Sequence, residues 1–257
     1  MDNGQVYSKG VGSLRLAMAQ INPVVGDLSG NSQIILQSAL KAKEQEADLI
    51  LFPEMALTGY PVEDLANRAT FRQASRNSLR KLATDLANQD LGSLLVLVGY
   101  LEVSENQEPQ NALAVIYQEE IVARYIKRHL PNYGVFDEYR NFAPGENSTI
   151  IRFKGVDIGL AICEDIWEEE GAISELAARK PGLVLVPNGS PFEKNKFDTR
   201  FTLVKKRVAQ LGAPMVYLNL VGGQDELVFD GGSIVVGKNG DLLASSPQFQ
   251  EGLMVFD

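Results

Sequence analysis

One cysteine, one histidine and one tryptophan are all that these 257 residues hold of those three types. A single cysteine closes no internal disulfide, so nothing points to an oxidising compartment. A single histidine leaves every histidine-based catalytic pairing with one candidate, His129. Long apolar runs are missing too, and none reaches the roughly 20 residues that a bilayer-spanning helix requires. Basic residues are in deficit: 24 Lys and Arg stand against 33 Asp and Glu, for a net charge of −9. Nucleic-acid surfaces are built from clustered Lys and Arg, so this balance argues against one. The start, MDNGQVYSKGVGS, has no hydrophobic core of the export-signal kind. Residues 1–13 read as a flexible leader, and the compartment as cytoplasmic.

What is present is apolar at 45% of positions, enough for a sizeable core. Short β-rich runs alternate with amphipathic stretches. LRLAMAQ (14–20) and DLILFPE (48–54) read as buried strands. Residues 31–47 read as a helix, with Ile35, Ala39 and Ala42 on one face. Phe71, Ala74, Leu79, Leu82 and Leu86 mark a second. LLVLVGYLE, NALAVIYQ and EIVARYIK read as neighbouring antiparallel strands. STIIRFKGVDIGLAIC reads as a hairpin turning at Lys154-Gly155, and a helix is expected directly after Cys163. GLVLVPN, APMVYLN, GGSIVVG and LLASS add strands, with KNGD (238–241) as a hairpin turn. Phe197, Phe201, Val204, Val208 and Leu211 give the clearest helical period, closed by Gly212. Roughly a dozen strands with four helices are too many strands for one doubly wound sheet. Two sheets packed face to face, each covered outside by helices, bury every apolar run. No linker or composition shift divides residues 14–257, which read as one α/β domain.

Cys163 lies between the apolar run VDIGLAI and the acidic stretch that follows. Free cysteines often only fill space in a core. At a strand-to-helix turn, however, a thiol sits near a helix N-terminus that favours the thiolate. Glu168, Glu169 and Glu170 then read as the first helical turn, complementing the dipole. His129 is more readily a structural hydrogen-bonding residue than a base. Glu54 ends a very apolar strand, where a poorly solvated carboxylate suits proton transfer; taken alone it reads more readily as an N-cap or a strand-end surface acid. Lys127 ends another strand and can face a developing oxyanion, or simply be solvated. All three sit at the C-terminal ends of expected strands, where α/β sites gather. A thiol, a carboxylate and a fixed cation suffice to cleave a carbon–nitrogen bond through a thioester.

The segments LFPEMALTGYP, YIKRHLPNYGVFDEYRNF and GLAICEDIW resemble, in that order, the Glu, Lys and Cys segments of the nitrilase, or carbon–nitrogen hydrolase, superfamily. CEDIW, VPNGSPF and VYLNLVGGQDELVFDGGS look more narrowly like the glutaminase domain of glutamine-dependent NAD synthetases. The resemblance covers everything after the leader. It implies a four-layer αββα sandwich, with Cys163 as nucleophile, Glu54 as general base and acid, and Lys127 beside the oxyanion. It implies that Glu138 supports the lysine, and that Tyr133, Phe136, Glu164 and Ser190 line a glutamine pocket. Read on their own, Tyr133 and Phe136 remain possible core aromatics, and Ser190 a turn former before Pro191. The resemblance implies no metal and no cofactor for this domain. It assigns ATP and Mg to a synthetase partner domain that receives ammonia and completes NAD from deamido-NAD. Such a domain carries a Ser-Gly-Gly-x-Asp-Ser phosphate loop, which this sequence lacks. The expectation is therefore one part of a larger enzyme, assembling as a homo-oligomer, with no nucleic-acid or membrane partner. The alternative is a free-standing amidase for another small amide or carbamoyl substrate.

Overall fold

Strands that are apolar on both faces dictate the layering. In β1 (Leu16–Gln20), Ala17 and Ala19 face one cluster while Leu16 and Met18 face another. The same split divides Ile50 from Leu49 and Leu51 in β2 (Leu49–Leu51), and Val96 and Val98 from Leu95 and Leu97 in β3 (Leu95–Val103). A strand buried on both sides needs a layer on each side, which is why these segments read as unbroken apolar runs. The computed structural model describes residues 13–257. Of the expected leader, residues 1–12 lie outside the described residues.

β1, β2 and β3 are parallel and are connected by α1 (Leu28–Glu44) and α2 (Ala69–Asn88). Asp27 caps α1 by accepting from the Gly30 N–H at 2.8 Å, so this helix starts earlier than its apolar period suggests. β4 (Pro109–Tyr117) and β5 (Glu120–Ile126) extend the sheet antiparallel, as expected. After the single turn α3 (Glu138–Asn141), β6 (Thr149–Phe153) and β7 (Val156–Leu160) form a hairpin. Lys154 and Gly155 both take positive φ, 46° and 83°, as a tight hairpin turn demands.

The second sheet continues through α4 (Ala172–Arg179), β8 (Leu183–Asn188), α5 (Lys196–Leu211) and β9 (Met215–Asn219), with β7, β8 and β9 parallel. β10 (Val221–Gln224) and β11 (Leu227–Asp230) form a separate ribbon. β12 (Ile234–Val236) and β13 (Leu242–Ser245) return to the second sheet around the expected KNGD turn. β14 (Gly252–Phe256) closes the first sheet beside β1. The orders are β14-β1-β2-β3-β4-β5 and β13-β12-β9-β8-β7-β6. Leu97, Leu113 and Val115 meet Leu160, Leu185 and Leu218 between the sheets. α1 and α2 cover the outer face of one sheet, and α4 and α5 that of the other. This is the expected αββα sandwich.

Two expectations need correction. No long helix follows Cys163: a single 3-10 turn, Cys163–Ile166, comes first, and α4 starts only at Ala172. Glu168, Glu169 and Glu170 therefore precede α4 instead of forming its first turn. The break is at Gly171, whose φ of 73° leaves the helical region. Glu169 is instead ion-paired with Lys206 on α5. The second correction is to the strand expected over 48–54, which is regular only to Leu51. Glu54 opens the turn beyond it.

Candidate active site

Glu54, Lys127 and Glu138 come together from three separate segments. The Lys127 ammonium donates to Glu54 Oε1 at 2.8 Å and to Glu138 Oε2 at 2.7 Å. Lys127 is fully buried and Glu54 is 1% exposed, so neither is a solvated strand-end residue. Burial alone would push the Lys127 ammonium down. The carboxylates of Glu138 and Glu54 more than offset this and hold it well above the ordinary lysine value. Burial also drives Glu138 up, to about 7.

Glu54 is held on every side. Asn111 Nδ2 donates to its Oε1 at 2.7 Å, and the Gly189 N–H donates to its Oε2 at 2.7 Å. Tyr60 OH donates to Glu138 Oε1 at 2.8 Å. These three donors escape a reading of the sequence. Asn111 lies inside a strand, Tyr60 in a turn, and a backbone N–H has no side-chain signature. Two glycines let the segments approach. A Cβ on Gly99 would lie 2.3 Å from Met55 N and 2.5 Å from Pro53 O, so β3 can support the Glu54 turn only with glycine there. A Cβ on Gly189 would lie 2.7 Å from the Tyr60 ring.

Cys163 is 5% exposed and lies near enough to Glu54, Lys127 and Glu138 for their charges to act on it. Burial pushes its thiol well above the ordinary value, and the Glu54 charge adds to the effect while Lys127 opposes it. The neutral thiol is thereby favoured over the thiolate. The expected support from a helix N-terminus is not what governs it, since only a four-residue 3-10 turn follows. Cys163 itself has a φ of 44°, a strained value for a residue with a side chain.

The remaining candidates fall in two places, Glu164 with Tyr133 and Phe136 on one side and Ser190 beside Gly189 on the other. Glu164 is buried next to Cys163, and Tyr133 OH donates to it, 3.0 Å from each carboxylate oxygen. Tyr133 is 56% exposed and Phe136 half-buried, edge-to-face at 5.7 Å, so they form a surface rim and are not core aromatics. Phe136 lines a small cleft with Tyr60, Pro61, Glu138 and Leu227. Ser190 is buried beside Gly189, and its hydroxyl accepts from Arg200 Nε at 3.2 Å. Arg200 is in turn locked to Asp230 at 2.8 Å, deep in the wall. His129 does not join the cluster: its Nδ1 lies 3.2 Å from Asp165 Oδ1. A thiol, a carboxylate held by three donors and an ammonium so grouped can accept a proton from sulfur and neutralise charge at an attacked carbonyl.

The family model for carbon-nitrogen hydrolases matches residues 15–257. The chain belongs to the carbon-nitrogen hydrolase family. Curated relatives include the glutamine-dependent NAD(+) synthetases of Acinetobacter baylyi, 35% identical, and Thermotoga maritima, 39% identical. They are matched over 94% and 95% of this chain, but over only 43% and 42% of their own length. The chain thus spans less than half of these relatives. Among solved structures, the glutamine-dependent NAD+ synthetase of Acinetobacter baumannii superposes with a TM-score of 0.87 at 35% identity. That match covers 94% of this chain and 45% of the other. The amidase of Nesterenkonia sp. AN1 superposes at 0.83 with 28% identity, over 95% of this chain and 93% of its own. In one structure of that amidase, acrylamide has added to the active-site cysteine. As a carbon-nitrogen hydrolase the chain is of an enzyme family, and the αββα sandwich is the fold its relatives share.

Proposed function

We propose that this chain is a glutaminase domain that releases ammonia from glutamine through a cysteine thioester. The observation that carries the reading is Lys127, buried and clamped between Glu54 and Glu138 beside the Cys163 thiol. Glutamine enters past Tyr133 with its side-chain amide toward the sulfur. Glu164 supplies the anion for its ammonium, Ser190 a donor for its carboxylate, and Phe136 an apolar edge. Sγ of Cys163 attacks the amide carbon as Glu54 takes the thiol proton. The negative charge that forms on oxygen is met by the Lys127 ammonium, in a site too dry for water to screen it. Glu54 returns the proton to nitrogen, the carbon–nitrogen bond breaks and ammonia departs. Glu54 then takes a proton from water, which attacks the thioester, and glutamate leaves as the sulfur regains its proton. Glu138 and Asn111 hold the cation and the base in place throughout.

The relatives' names support the substrate, and the chain's share of their length supports a synthetase partner that uses the ammonia to make NAD. ATP and Mg belong to that partner. Among the described residues no group of three or more His, Cys, Asp or Glu is placed to hold a metal ion. Also among them, no helix is long and apolar enough to cross a membrane, and the cytoplasm remains our assignment.

A second reading, a free-standing amidase, is favoured by the near-complete overlap with the Nesterenkonia enzyme. Ammonia release from glutamine and from butyramide, each followed with the purified chain, separates the two. We expect slow turnover of glutamine, none of butyramide, and loss of turnover in Glu54→Gln with the fold retained. Faster release from butyramide would favour the second reading, and unchanged turnover in Glu54→Gln would remove its role as base.

A further inference from the structure

Asp165 is fully buried and has more partners than any carboxylate in the catalytic cluster. Its Oδ2 accepts from the Ile162 N–H at 2.8 Å and from Tyr125 OH at 2.7 Å. Its Oδ1 accepts from the His129 N–H at 2.9 Å and the Arg128 N–H at 3.1 Å, with His129 Nδ1 at 3.2 Å. Ile162 immediately precedes the nucleophile, and Arg128 and His129 immediately follow the cation. The first segment leaves the second sheet and the other leaves the first sheet. One carboxylate therefore joins the two segments across the seam, through charge-assisted hydrogen bonds of the stronger kind.

We propose that Asp165 is a positioning residue, which sets where the Cys163 sulfur sits relative to Lys127 and Glu54. The strained φ of 44° at Cys163 has to be held by its surroundings, and the bond from Ile162 N to Asp165 is the nearest restraint on it. Four of the five groups at this carboxylate are N–H or O–H donors, two on each oxygen, and a carboxylate accepts from all four. Asparagine at this site keeps one oxygen and turns its NH2 toward donors. His129, the sequence's only histidine, joins this clamp through its backbone N–H, with its ring beside Asp165 and not at the sulfur.

The inference rests on the reading of Cys163 as nucleophile, so its test begins with a reagent that needs only a thiol. Cys163 is the one cysteine, and loss of thiol to iodoacetamide reports it alone. In Asp165→Asn we expect the pH profile of alkylation to move by about half a unit or more, because the sulfur's distance from two charges changes. With a hydrolysed amide as substrate, kcat should fall about 100-fold or more while KM stays within about threefold. Tyr125→Phe removes one contact and should give a smaller change of the same sign in both readouts. An alkylation profile superimposable on wild type in midpoint and rate would overturn the proposal. If Asp165→Asn does not fold, Tyr125→Phe decides: an unchanged profile and kcat overturn it, and a shifted profile with lowered kcat supports it. A wild-type chain that alkylates normally but hydrolyses no amide contradicts the glutaminase reading and leaves the clamp to be judged on the alkylation profiles.

Discussion

From its interior outward the first sheet runs β1-β2-β3-β4-β5, with α1 and α2 as crossovers, and the second runs β7-β8-β9-β12-β13, with α4 and α5. Each carries one antiparallel strand on the far side, β14 beside β1 and β6 beside β7. The plans match, but the residues at the strand ends do not. The first sheet's segments bring Glu54, Asn111 and Lys127, a carboxylate held by an amide and a cation. The second sheet's segments bring Cys163, Glu164, Gly189 and Ser190, a thiol and a polar wall. In the proposed mechanism neither set suffices without the other. A repeated scaffold thus places complementary halves on either side of one seam, joined by the apolar packing between the sheets and by the bonds to Asp165.

The comparison breaks most severely if the cation is removed. Lys127→Met leaves two buried carboxylates facing each other, and we expect a loss of about 3–5 kcal/mol in urea unfolding. Ammonia release should fall by roughly 1,000-fold or more. Adding Glu138→Gln should recover part of the stability and none of the turnover; recovery of turnover would show that the cation is dispensable. Gly99→Ala tests the seam without touching a charged group. It drives the 53–55 backbone off β3, and we expect a loss of about 1–3 kcal/mol with a larger proportional loss of turnover. Full activity in that variant would mean that the Glu54 turn needs no support from β3.

Glu138→Gln sharpens the electrostatic side. The folded value of about 7 stands above the ordinary 4.5, so between those limits the folded protein holds a proton that the unfolded chain releases. Stability therefore falls as pH rises through that window. Urea titrations at several pH values should show a drop on the order of 2 kcal/mol in wild type that Glu138→Gln lacks. Identical slopes would mean that the carboxyl is not raised. The smallest effect belongs to the rim: Tyr133→Phe removes the donor to Glu164 and should raise KM about 3–10-fold with kcat nearly unchanged. A fall in kcat alone would take Tyr133 out of substrate binding.

Much of the fold was legible because buried strands advertise themselves as apolar runs and turns as glycine pairs, Lys154-Gly155 among them. The helix after Cys163 was misplaced because its residues favour a helix locally, while Gly171 and the demands on Asp165 are tertiary. Glu54, Lys127 and Cys163 could be noticed as strand-end residues. Their convergence could not, since no spacing along the chain measures distance across a seam. The resemblance to a family, not periodicity, singled them out. Tyr60, Asn111 and the Gly189 N–H were invisible because each matters only through its bond to a carboxylate from elsewhere in the chain.

The proposed chemistry is one sulfur acting on one amide. Its most direct test is to treat the chain with the glutamine-analogue electrophile diazo-oxo-norleucine and locate the adduct by peptide mass. The expected result is a single adduct on Cys163, slowed by excess glutamine and absent from Cys163→Ala. An adduct on any other residue, or one that persists in Cys163→Ala, would contradict the account.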